Sequence, residues 1–411
     1  TPLYSSAASD VYKRQVWYGS LAGYPDAPIP LHMEDVPMHM AIFGVTGSGK
    51  SFDTGALIER FVRVPIGNGK EVSYPMIIID AHGDYRDYVD QMEQEEKERS
   101  EGRKNFLGKI GWIKRYIFPN AYARLASRKS RFVQPIGINL DLISKKERRA
   151  LSEMIILAYK GTLEGAELQV SGLDAIFEYM IGKGFKSLHN LFVHNFDDLK
   201  RYLAEFAEST QMHAATRAAI ERALDNFRLV ETKYNLLSTM SELKDENFVD
   251  NVTKQGAIAV IDFSADGAPG VDLSIKQLVM TYLATLLFEK FTDFKIQMED
   301  RYLVFIIEEA QNFCPDKSFP IATSLAHSKL TAIATQGRKF GLSLCLISQR
   351  PSFVDQIVLS MCNTFFIHRV SPEDVGFVRR ICGGLPLSLA GRLTTLDKGE
   401  LIITGQMNTV P

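Results

Sequence analysis

A glycine-rich segment near the start of the chain has the residue types and the spacing of a phosphate-binding loop. The run Gly44-Val-Thr-Gly-Ser-Gly-Lys-Ser51 fits the pattern GxxxxGK(S/T) at every position. Glycines let backbone N–H groups turn inward around phosphate oxygens, the lysine adds a positive charge, and the last serine offers a hydroxyl to Mg²⁺. A chance match in a glycine-rich turn is the alternative. The residues predicted to bind ATP are Gly44, Thr46, Gly47, Ser48, Gly49, Lys50 and Ser51, and Ser51 is also a predicted ligand of Mg²⁺.

Two adjacent carboxylates, Glu308 and Glu309, follow the apolar run 302–307. Hydrolysis at a phosphate-binding loop needs one acid for the Mg²⁺ shell and another group that orients the attacking water. Because side chains alternate along a strand, two neighbouring residues point in different directions and cannot share one role. We therefore assign Glu308 to the metal shell and Glu309 to the water. The alternative is a solvated acidic strand end.

Further polar residues follow apolar runs, where ligands bind in open α/β sheets. Asp80 is a third candidate acid, although a strand-end cap explains it equally well, and His82 beside a glycine is interpreted as structural. Gln349 is a candidate sensor of the γ-phosphate, or else a turn residue. Arg338 precedes another apolar run and is a candidate arginine finger for a neighbouring subunit, with a solvated surface position as the alternative.

The segment 103–131 carries the most uneven charge in the chain. It contains nine Lys or Arg residues and no Asp or Glu, with aromatic residues interleaved among them. Basic residues among aromatics suit a phosphate backbone and stacking against exposed bases. A basic surface helix whose aromatics lie in the core is an equally good explanation. We name this segment as a candidate DNA contact.

Short, continuous apolar runs predict the framework that positions these residues. Runs of this kind are typical of strands buried on both faces of a parallel sheet, and they occur at 75–80, 257–262, 302–307, 342–347 and 364–367. Helical stretches lie between several of them, notably at 273–291 and 318–340. Strands that alternate with helices predict an α/β fold with a mostly parallel sheet.

The alternation breaks between residues 144 and 246, where a capping box precedes several helical stretches. We interpret 144–246 as an inserted helical subdomain that divides the sheet domain into 16–143 and 247–411. Residues 1–15 have no periodicity and resemble a non-native or disordered tail, so we exclude them from the fold. We expect the native N-terminus to be missing and the C-terminus to be truncated.

The composition of the 411 residues narrows the class of protein. Apolar residues make up 45% and charged residues 23%, which excludes a disordered chain. The formal charge of −2 excludes a protein that coats nucleic acid with its whole surface. The four cysteines are widely spaced, which argues for a reducing compartment and against a zinc site. With no apolar run of membrane-spanning length and no signal peptide, we expect a cytoplasmic protein without membrane contact.

Five blocks of sequence resemble, in order, the HerA family of hexameric DNA translocases. They are AIFGVTGSGKS (41–51), IIIDAHGDY (77–85), FIIEEAQNF (305–313), GRKFGLSLCLISQRPS (337–352) and LSMCNTFFIHR (359–369). The resemblance implies a RecA-like P-loop NTPase core and ATP-driven movement along double-stranded DNA by a homo-hexamer, often with a NurA-type nuclease or a defence effector. It also implies Lys50 and Ser51 at the phosphates, Asp80 and Glu309 as essential acids, Gln349 as the sensor and Arg338 as a finger in trans.

The chain departs from the family pattern at a few positions. Only a remnant such as 16–21 could belong to the β-barrel with which members usually begin, and Ala81, Asp84 and Gln311 replace the residues usual in two of the blocks. Two other functions stay open: an ATPase of conjugation or type IV secretion machinery, and a scaffold that binds ATP without cycling. The pair Glu308 and Glu309 argues against the scaffold, because a protein that only binds ATP does not need an acid that orients water.

Overall fold

The computed structural model describes residues 15–33, 36, 38–67, 70–99, 112–125, 130–139, 145–161, 165–185, 188–245, 247–319, 324 and 326–408. Its strands are β1 Gln15–Leu21, β2 Tyr24–His32, β3 Met40–Phe43, β4 Val64–Gly67, β5 Lys70–Val72, β6 Met76–Asp80, β7 Trp112–Ile117, β8 Val133–Pro135, β9 Ala257–Asp262, β10 Leu303–Ile307, β11 Leu342–Ser348, β12 Thr364–Ile367 and β13 Ile402–Gly405. Nine of them form one sheet in the order β13-β12-β3-β11-β10-β6-β9-β7-β8.

Every neighbouring pair in this sheet is parallel except β12 with β13. Every residue of the six strands β3, β6, β9, β10, β11 and β12 is buried, as the continuous apolar runs predicted. The mostly parallel α/β fold is therefore confirmed. The sequence interpretation missed β7 and β8, and for β13 it noted only a strand-like run near the C-terminus.

Helices cover both faces of the sheet. The described α-helices are Lys50–Phe61, Arg86–Arg99, Pro119–Leu125, Lys145–Lys160, Glu167–Gly182, Leu188–Val193, Phe196–Ser209, Ala214–Tyr234, Phe248–Val252, Leu273–Ile296, His327–Ala332, Arg338–Phe340, Gln356–Ser360, Pro372–Ile381 and Leu387–Arg392. Because side chains alternate along each strand, Ile78 packs with the helix Lys50–Phe61 on one face, and Ile79 packs with the long helices on the other. Two apolar cores result, one on each side of the sheet.

In the segment predicted as an inserted subdomain, the described residues from Lys145 to Tyr234 form five α-helices connected by turns. Its buried residues, such as Leu173 and Phe227, belong to the same apolar core as Ile79 of the sheet. The apolar core of these helices is therefore continuous with the core on that face of the sheet, and their assignment as an inserted subdomain stays a prediction.

Two predicted boundaries differ from the structure. Gln15 was assigned to the excluded tail, but it is the first residue of β1, while residues 1–14 lie outside the described part. A single helix was predicted over 318–340, but the helix begins at His327 and continues as a π-helix at Ile333–Gly337.

Within the described residues, no helix is both long enough and apolar enough to cross a bilayer.

Candidate active site

The phosphate-binding loop connects β3 to the helix Lys50–Phe61 at the carboxyl edge of the sheet. Gly49 precedes the helix with a φ of 109°, a conformation that favours glycine. A Cβ atom at Gly44 would lie 2.6 Å from the Ser48 hydroxyl oxygen, so a larger residue would not fit there. Gly47 also has a positive φ, of 76°. The backbone is therefore folded as a tight cradle with the first turn of a helix behind it, which is the arrangement that binds phosphate.

Two of the polar side chains of the loop contact the loop's own backbone, and a third is exposed. Ser48 is buried and its hydroxyl donates to the carbonyl of Val45 at 2.8 Å, so this side chain stabilises the loop. Lys50 donates from Nζ to the same carbonyl at 3.1 Å. Burial lowers the pKa of Lys50, while the charges of Glu309, Glu308 and Asp84 oppose that shift. Ser51 is exposed in the first helical turn, so its hydroxyl is accessible to a metal ion.

Glu309 lies just beyond β10, after Glu308, and its backbone is left-handed, with φ at 49°. Strained residues of this kind cluster at functional sites. Its Oε1 lies 3.0 Å from His82 Nε2 and also accepts a hydrogen bond from the side-chain amide of Gln349. Its Oε2 accepts a hydrogen bond from Gln311. Burial alone would raise the pKa of Glu309, but these hydrogen bonds lower it below its ordinary value.

Gln349 connects Glu309 to the phosphate-binding loop. Its amide nitrogen donates to Glu309, and its amide oxygen accepts a hydrogen bond from the Thr46 hydroxyl at 2.6 Å. The connection depends on the sheet order, because β11 lies between β3 and β10 and ends beside both of them. A movement of the Thr46 hydroxyl would therefore affect Glu309 through the side chain of Gln349.

Glu308 lies deeper than the prediction of a metal ligand requires. Only 3% of the residue is exposed, Oε2 accepts the Ala81 N–H at 2.9 Å, and Oε1 accepts the Tyr85 hydroxyl at 3.0 Å. Burial, together with the nearby charge of Asp80, raises the pKa of Glu308 to about 7. Each oxygen accepts one hydrogen bond from the protein, and because the residue is almost fully buried, the carboxylate is poorly accessible to Mg²⁺ in this structure.

The assignment of Asp80 as an acid that acts on the nucleotide differs from its position in the structure. Asp80 is fully buried, and its Oδ1 accepts the N–H groups of His82, Gly83 and Asp84 at 3.2, 2.6 and 3.2 Å. Its Oδ2 accepts the Tyr85 N–H at 3.1 Å. Burial raises the pKa of Asp80, and these N–H groups oppose that shift. Asp80 is thus the strand-end cap that the sequence left as an alternative, and it fixes the loop that carries His82.

Arg338 is exposed and does not lie at this site. It begins the short helix Arg338–Phe340, which precedes β11 at the amino edge of the sheet, whereas Gln349 follows the same strand at the carboxyl edge. The seven residues of β11 rise about 3.3 Å each, which separates the two edges by roughly 20 Å. Arg338 therefore does not reach the phosphate-binding loop of its own subunit.

The described part of the basic segment 103–131 matches the alternative of a surface element with its aromatics in the core. Arg115 is buried and pairs with Asp262, with Nε at 2.8 Å from Oδ2, while Lys114 lies 3.2 Å from Glu242. Tyr116 and Phe118 are fully buried. Buried Arg115 and Tyr116 therefore do not face a bound nucleic acid in this structure, whereas DNA contact by the exposed Arg124 and Arg131 stays a prediction. Residues 100–111 and 126–129 lie outside the described residues.

Sequence reasoning missed two side chains that hold Glu309. His82 was interpreted as structural, yet its ring contacts Glu309 across 227 positions of sequence, and this contact raises the pKa of His82. Gln311 was noted only as a departure from a family pattern. The single local signal was its spacing, because a residue two positions beyond a catalytic acid in a short turn can fold back onto it, as Ala310–Asn312 does.

The site residues fit ATP with a divalent cation. The cradle presents glycines and backbone N–H groups, Lys50 supplies a positive charge, and Ser51 supplies a hydroxyl. In the described part of the chain, no three His, Cys, Asp or Glu side chains are grouped to hold a metal ion. This donor set suits Mg²⁺, which dehydrates reluctantly and is commonly held by few protein ligands together with phosphate oxygens.

Comparisons with known proteins identify the family of this chain. Residues 16–287 match the family model described as the central domain of helicase HerA. The DNA double-strand break repair helicase HerA of Saccharolobus solfataricus is 25% identical over 401 residues, which are 97% of this chain and 67% of that protein. The corresponding helicase of Pyrococcus furiosus is 25% identical over 424 residues, which cover 96% of this chain and 68% of that protein. The chain thus spans about two thirds of the length of these relatives.

Solved structures with low sequence identity share the fold. The bacterial conjugative coupling protein TrwB superposes with a TM-score of 0.57 at 16% identity, covering 96% of this chain and 86% of that one. VirB4 of Thermoanaerobacter pseudethanolicus superposes with a TM-score of 0.54 at 14% identity, covering 89% of this chain and 86% of that one. These likenesses concern the architecture alone. The family match covers more than half of the chain, and on that basis the protein belongs to the HerA helicase family of P-loop ATPases.

Proposed function

We propose that this chain is the motor subunit of a ring that uses ATP hydrolysis to move along double-stranded DNA. The observation that carries the proposal is the hydrogen-bonded chain from Thr46 through Gln349 to Glu309 in a member of the HerA helicase family. These hydrogen bonds connect the loop that would bind the phosphates to the acid that would activate water. A motor needs such a connection, because hydrolysis must depend on the state of the bound nucleotide.

In the proposed reaction, the loop 44–51 holds the triphosphate and Lys50 neutralises part of its charge. Glu309 accepts a proton from the attacking water as the water oxygen bonds to the γ-phosphorus and the bond to the ADP oxygen breaks. The lowered pKa of Glu309 keeps the carboxylate ionised, so that it can accept a hydrogen bond from the water and orient it, but it also makes the group a weaker base. Ser51 would hold Mg²⁺ directly and Glu308 through a bound water. When bound, Mg²⁺ supplies charge neutralisation to the phosphates.

The position of Arg338 supports a ring of identical subunits, proposed as a homo-hexamer. The side chain is exposed and lies roughly 20 Å from the edge that carries its own phosphate-binding loop. A cation of this kind can complete a neighbour's site, where it stabilises charge on the transferred phosphoryl group. In this proposal hydrolysis requires contact between subunits.

DNA end processing is the proposed setting, because the curated relatives from Saccharolobus solfataricus and Pyrococcus furiosus are named DNA double-strand break repair helicases. A NurA-type nuclease or a defence effector is the proposed partner, on the resemblance alone. The shared fold with TrwB and VirB4 keeps the conjugation or secretion ATPase as the second candidate. An ATP-binding scaffold that does not cycle is the third.

One experiment separates these functions. ATP hydrolysis is measured with and without linear double-stranded DNA, at subunit concentrations high enough to favour a ring, with Lys50→Ala as the inactive control. The motor proposal expects several-fold stimulation by DNA. Hydrolysis that is indifferent to DNA would favour the secretion-type ATPase. ATP binding without hydrolysis would favour the scaffold.

A further inference from the structure

The helical segment 327–340 is long enough to connect the two edges of the sheet. It consists of the α-helix His327–Ala332, the π-helix Ile333–Gly337 and the short helix Arg338–Phe340. At the rise of an α-helix, about 1.5 Å per residue, its first residue lies roughly 16 Å from Arg338. That length is close to the separation between the edge that carries Arg338 and the edge that carries the phosphate-binding loop.

His327, the first residue of this segment, contacts the part of the chain that follows Gln349. Its Nε2 lies 3.2 Å from Oδ2 of Asp355. The other oxygen of Asp355 accepts the Val358 N–H at 3.0 Å and caps the next helix. The Asp355 N–H donates to the Cys314 carbonyl at 2.9 Å. Asp355 is therefore held by the backbone on two sides, and His327 joins the helical segment to it.

A short and compact stretch separates Asp355 from the candidate sensor Gln349. Its central residues form the 3₁₀ turn Pro351–Phe353. Beside that turn, Arg350 Nε lies 3.2 Å from Oδ2 of the fully buried Asp374. A displacement of Gln349 would therefore reach Asp355 over a short path that polar contacts hold in place.

The other end of the helical segment packs against β11. A Cβ atom at Gly337 would lie 2.8 Å from the carbonyl oxygen of Leu342, the first residue of this strand. Ile333 is buried in the same apolar core as Leu344. The turn between them and Arg338 is π-helical, a geometry that is frequent at functional sites. Arg338 is therefore presented by a segment that is packed closely along the strand leading to the sensor.

We propose that His327 is a positioning residue for Arg338, because its contact with Asp355 joins the helix of the proposed finger to the segment that follows the proposed sensor. The inference rests on the proposed function, since it assumes that Gln349 responds to nucleotide and that Arg338 acts in a neighbour's site. In the proposed ring, the finger that one subunit offers to its neighbour is then placed by a segment attached to its own ATP site. One contact in each subunit couples two successive sites.

The test is a double-mutant cycle on kcat with His327→Phe and Arg338→Ala. His327→Phe keeps an aromatic ring and removes the nitrogen that contacts Asp355. We expect kcat to fall about 2- to 10-fold in the wild-type background, the effect of one lost hydrogen bond. In the Arg338→Ala background it should fall no further, because the contact acts through Arg338. Slow variants are measured in single-turnover reactions with labelled ATP, and ADP affinity, measured by titration calorimetry, should be unchanged throughout.

Three further variants isolate the contact itself. His327→Gln keeps a hydrogen-bonding nitrogen near the position of Nε2, so kcat should return to within about two-fold of the wild type. Asp355→Ser keeps an oxygen that caps the next helix but lacks the second oxygen, and it should match His327→Phe. Lys329→Ala is the control from the same helix, where Lys329 Nζ lies 4.0 Å from Glu153, and it should leave kcat unchanged.

The remaining outcomes would overturn the proposal. Equal losses in the two backgrounds would show that His327 acts on the site of its own subunit. A loss of ADP affinity that accompanies the loss of kcat would show that the contact only supports the fold, and an undiminished kcat in His327→Phe would remove its role. In each of these cases the proposed function survives. If Arg338→Ala itself keeps the wild-type kcat, the finger of the proposed function is wrong, and the inference fails with it.

Discussion

The bridge formed by Gln349 gives the sharpest test of how the phosphate-binding loop controls hydrolysis. Gln349→Met keeps the length of the side chain and removes both the bond to Glu309 and the bond from Thr46. Glu309 would still contact His82 and Gln311, so the variant should retain the acid in the site while breaking its connection to the loop.

The magnitude follows from the kind of bond that is lost. A hydrogen bond to a charged group contributes about 1.5–3 kcal/mol, so removing the amide from Glu309 should lower kcat roughly 10- to 150-fold if that bond is fully used in the transition state. Thr46→Val removes only the bond that reaches Gln349 from the loop, which is a neutral pair. It should cost about 0.5–1.5 kcal/mol, or roughly 2- to 10-fold in kcat.

A double-mutant cycle on kcat provides the decisive measurement. Because Thr46 is proposed to act on Glu309 through Gln349, the double variant should be no slower than Gln349→Met alone, which gives a coupling energy close to the whole effect of Thr46→Val. Affinity for ADP is measured in parallel and should change less than kcat. Additive effects, or a Gln349→Met variant whose kcat stays within two-fold of the wild type, would refute the bridge.

Four further substitutions test the roles of single residues. Lys50→Ala should abolish ATP turnover in a steady-state assay, because the phosphates lose their main neutralising charge; unchanged turnover would remove the loop from the reaction. Glu309→Gln should retain nucleotide binding while kcat falls about 10²- to 10⁴-fold, and a rapid variant would place the base elsewhere. Arg338→Ala mixed with wild-type subunits should lower activity more steeply than the fraction of variant, whereas a linear decrease would indicate independent subunits. Asp80→Asn should lower the free energy of unfolding by roughly 1–3 kcal/mol in a denaturant titration, because an amide cannot accept from all four N–H donors; undiminished stability with lost turnover would instead support a direct catalytic role.

The parts of the fold predicted from sequence are those whose signal is local. β6, β9 and β10 are continuous apolar runs, and such runs are buried on both faces in any parallel sheet. β7 was missed because WIKRYI carries two positive charges. Burial of Arg115 depends on Asp262 of the adjacent strand β9, and sequence periodicity does not reveal a charge partner 147 residues away.

The same distinction holds within the site. The position of the loop 44–51, after a strand and before a helix, was predicted because that arrangement follows from the spacing of neighbouring residues. Asp80 and Glu308 were recognised as strand-end acids, but whether such an acid faces a ligand or folds back onto its own loop depends on the path of the next five residues. For Asp80 that path brings four N–H groups onto the carboxylate. Their position at strand ends therefore predicted correctly that both acids lie at the carboxyl edge of the sheet. It did not predict that the Asp80 carboxylate caps its own loop.

The network around Glu309 has a further consequence for how the site responds to nucleotide. Its three partners come from the ends of three different chain segments: His82 after β6, Gln311 after β10 and Gln349 after β11. Each partner follows a different strand, so the position of the Glu309 carboxylate depends on all three segments. Of the three, Gln349 alone has a described hydrogen bond to the phosphate-binding loop. A phosphate that competes for the Thr46 hydroxyl would therefore act on Glu309 through one contact, while the other two keep the carboxylate in place.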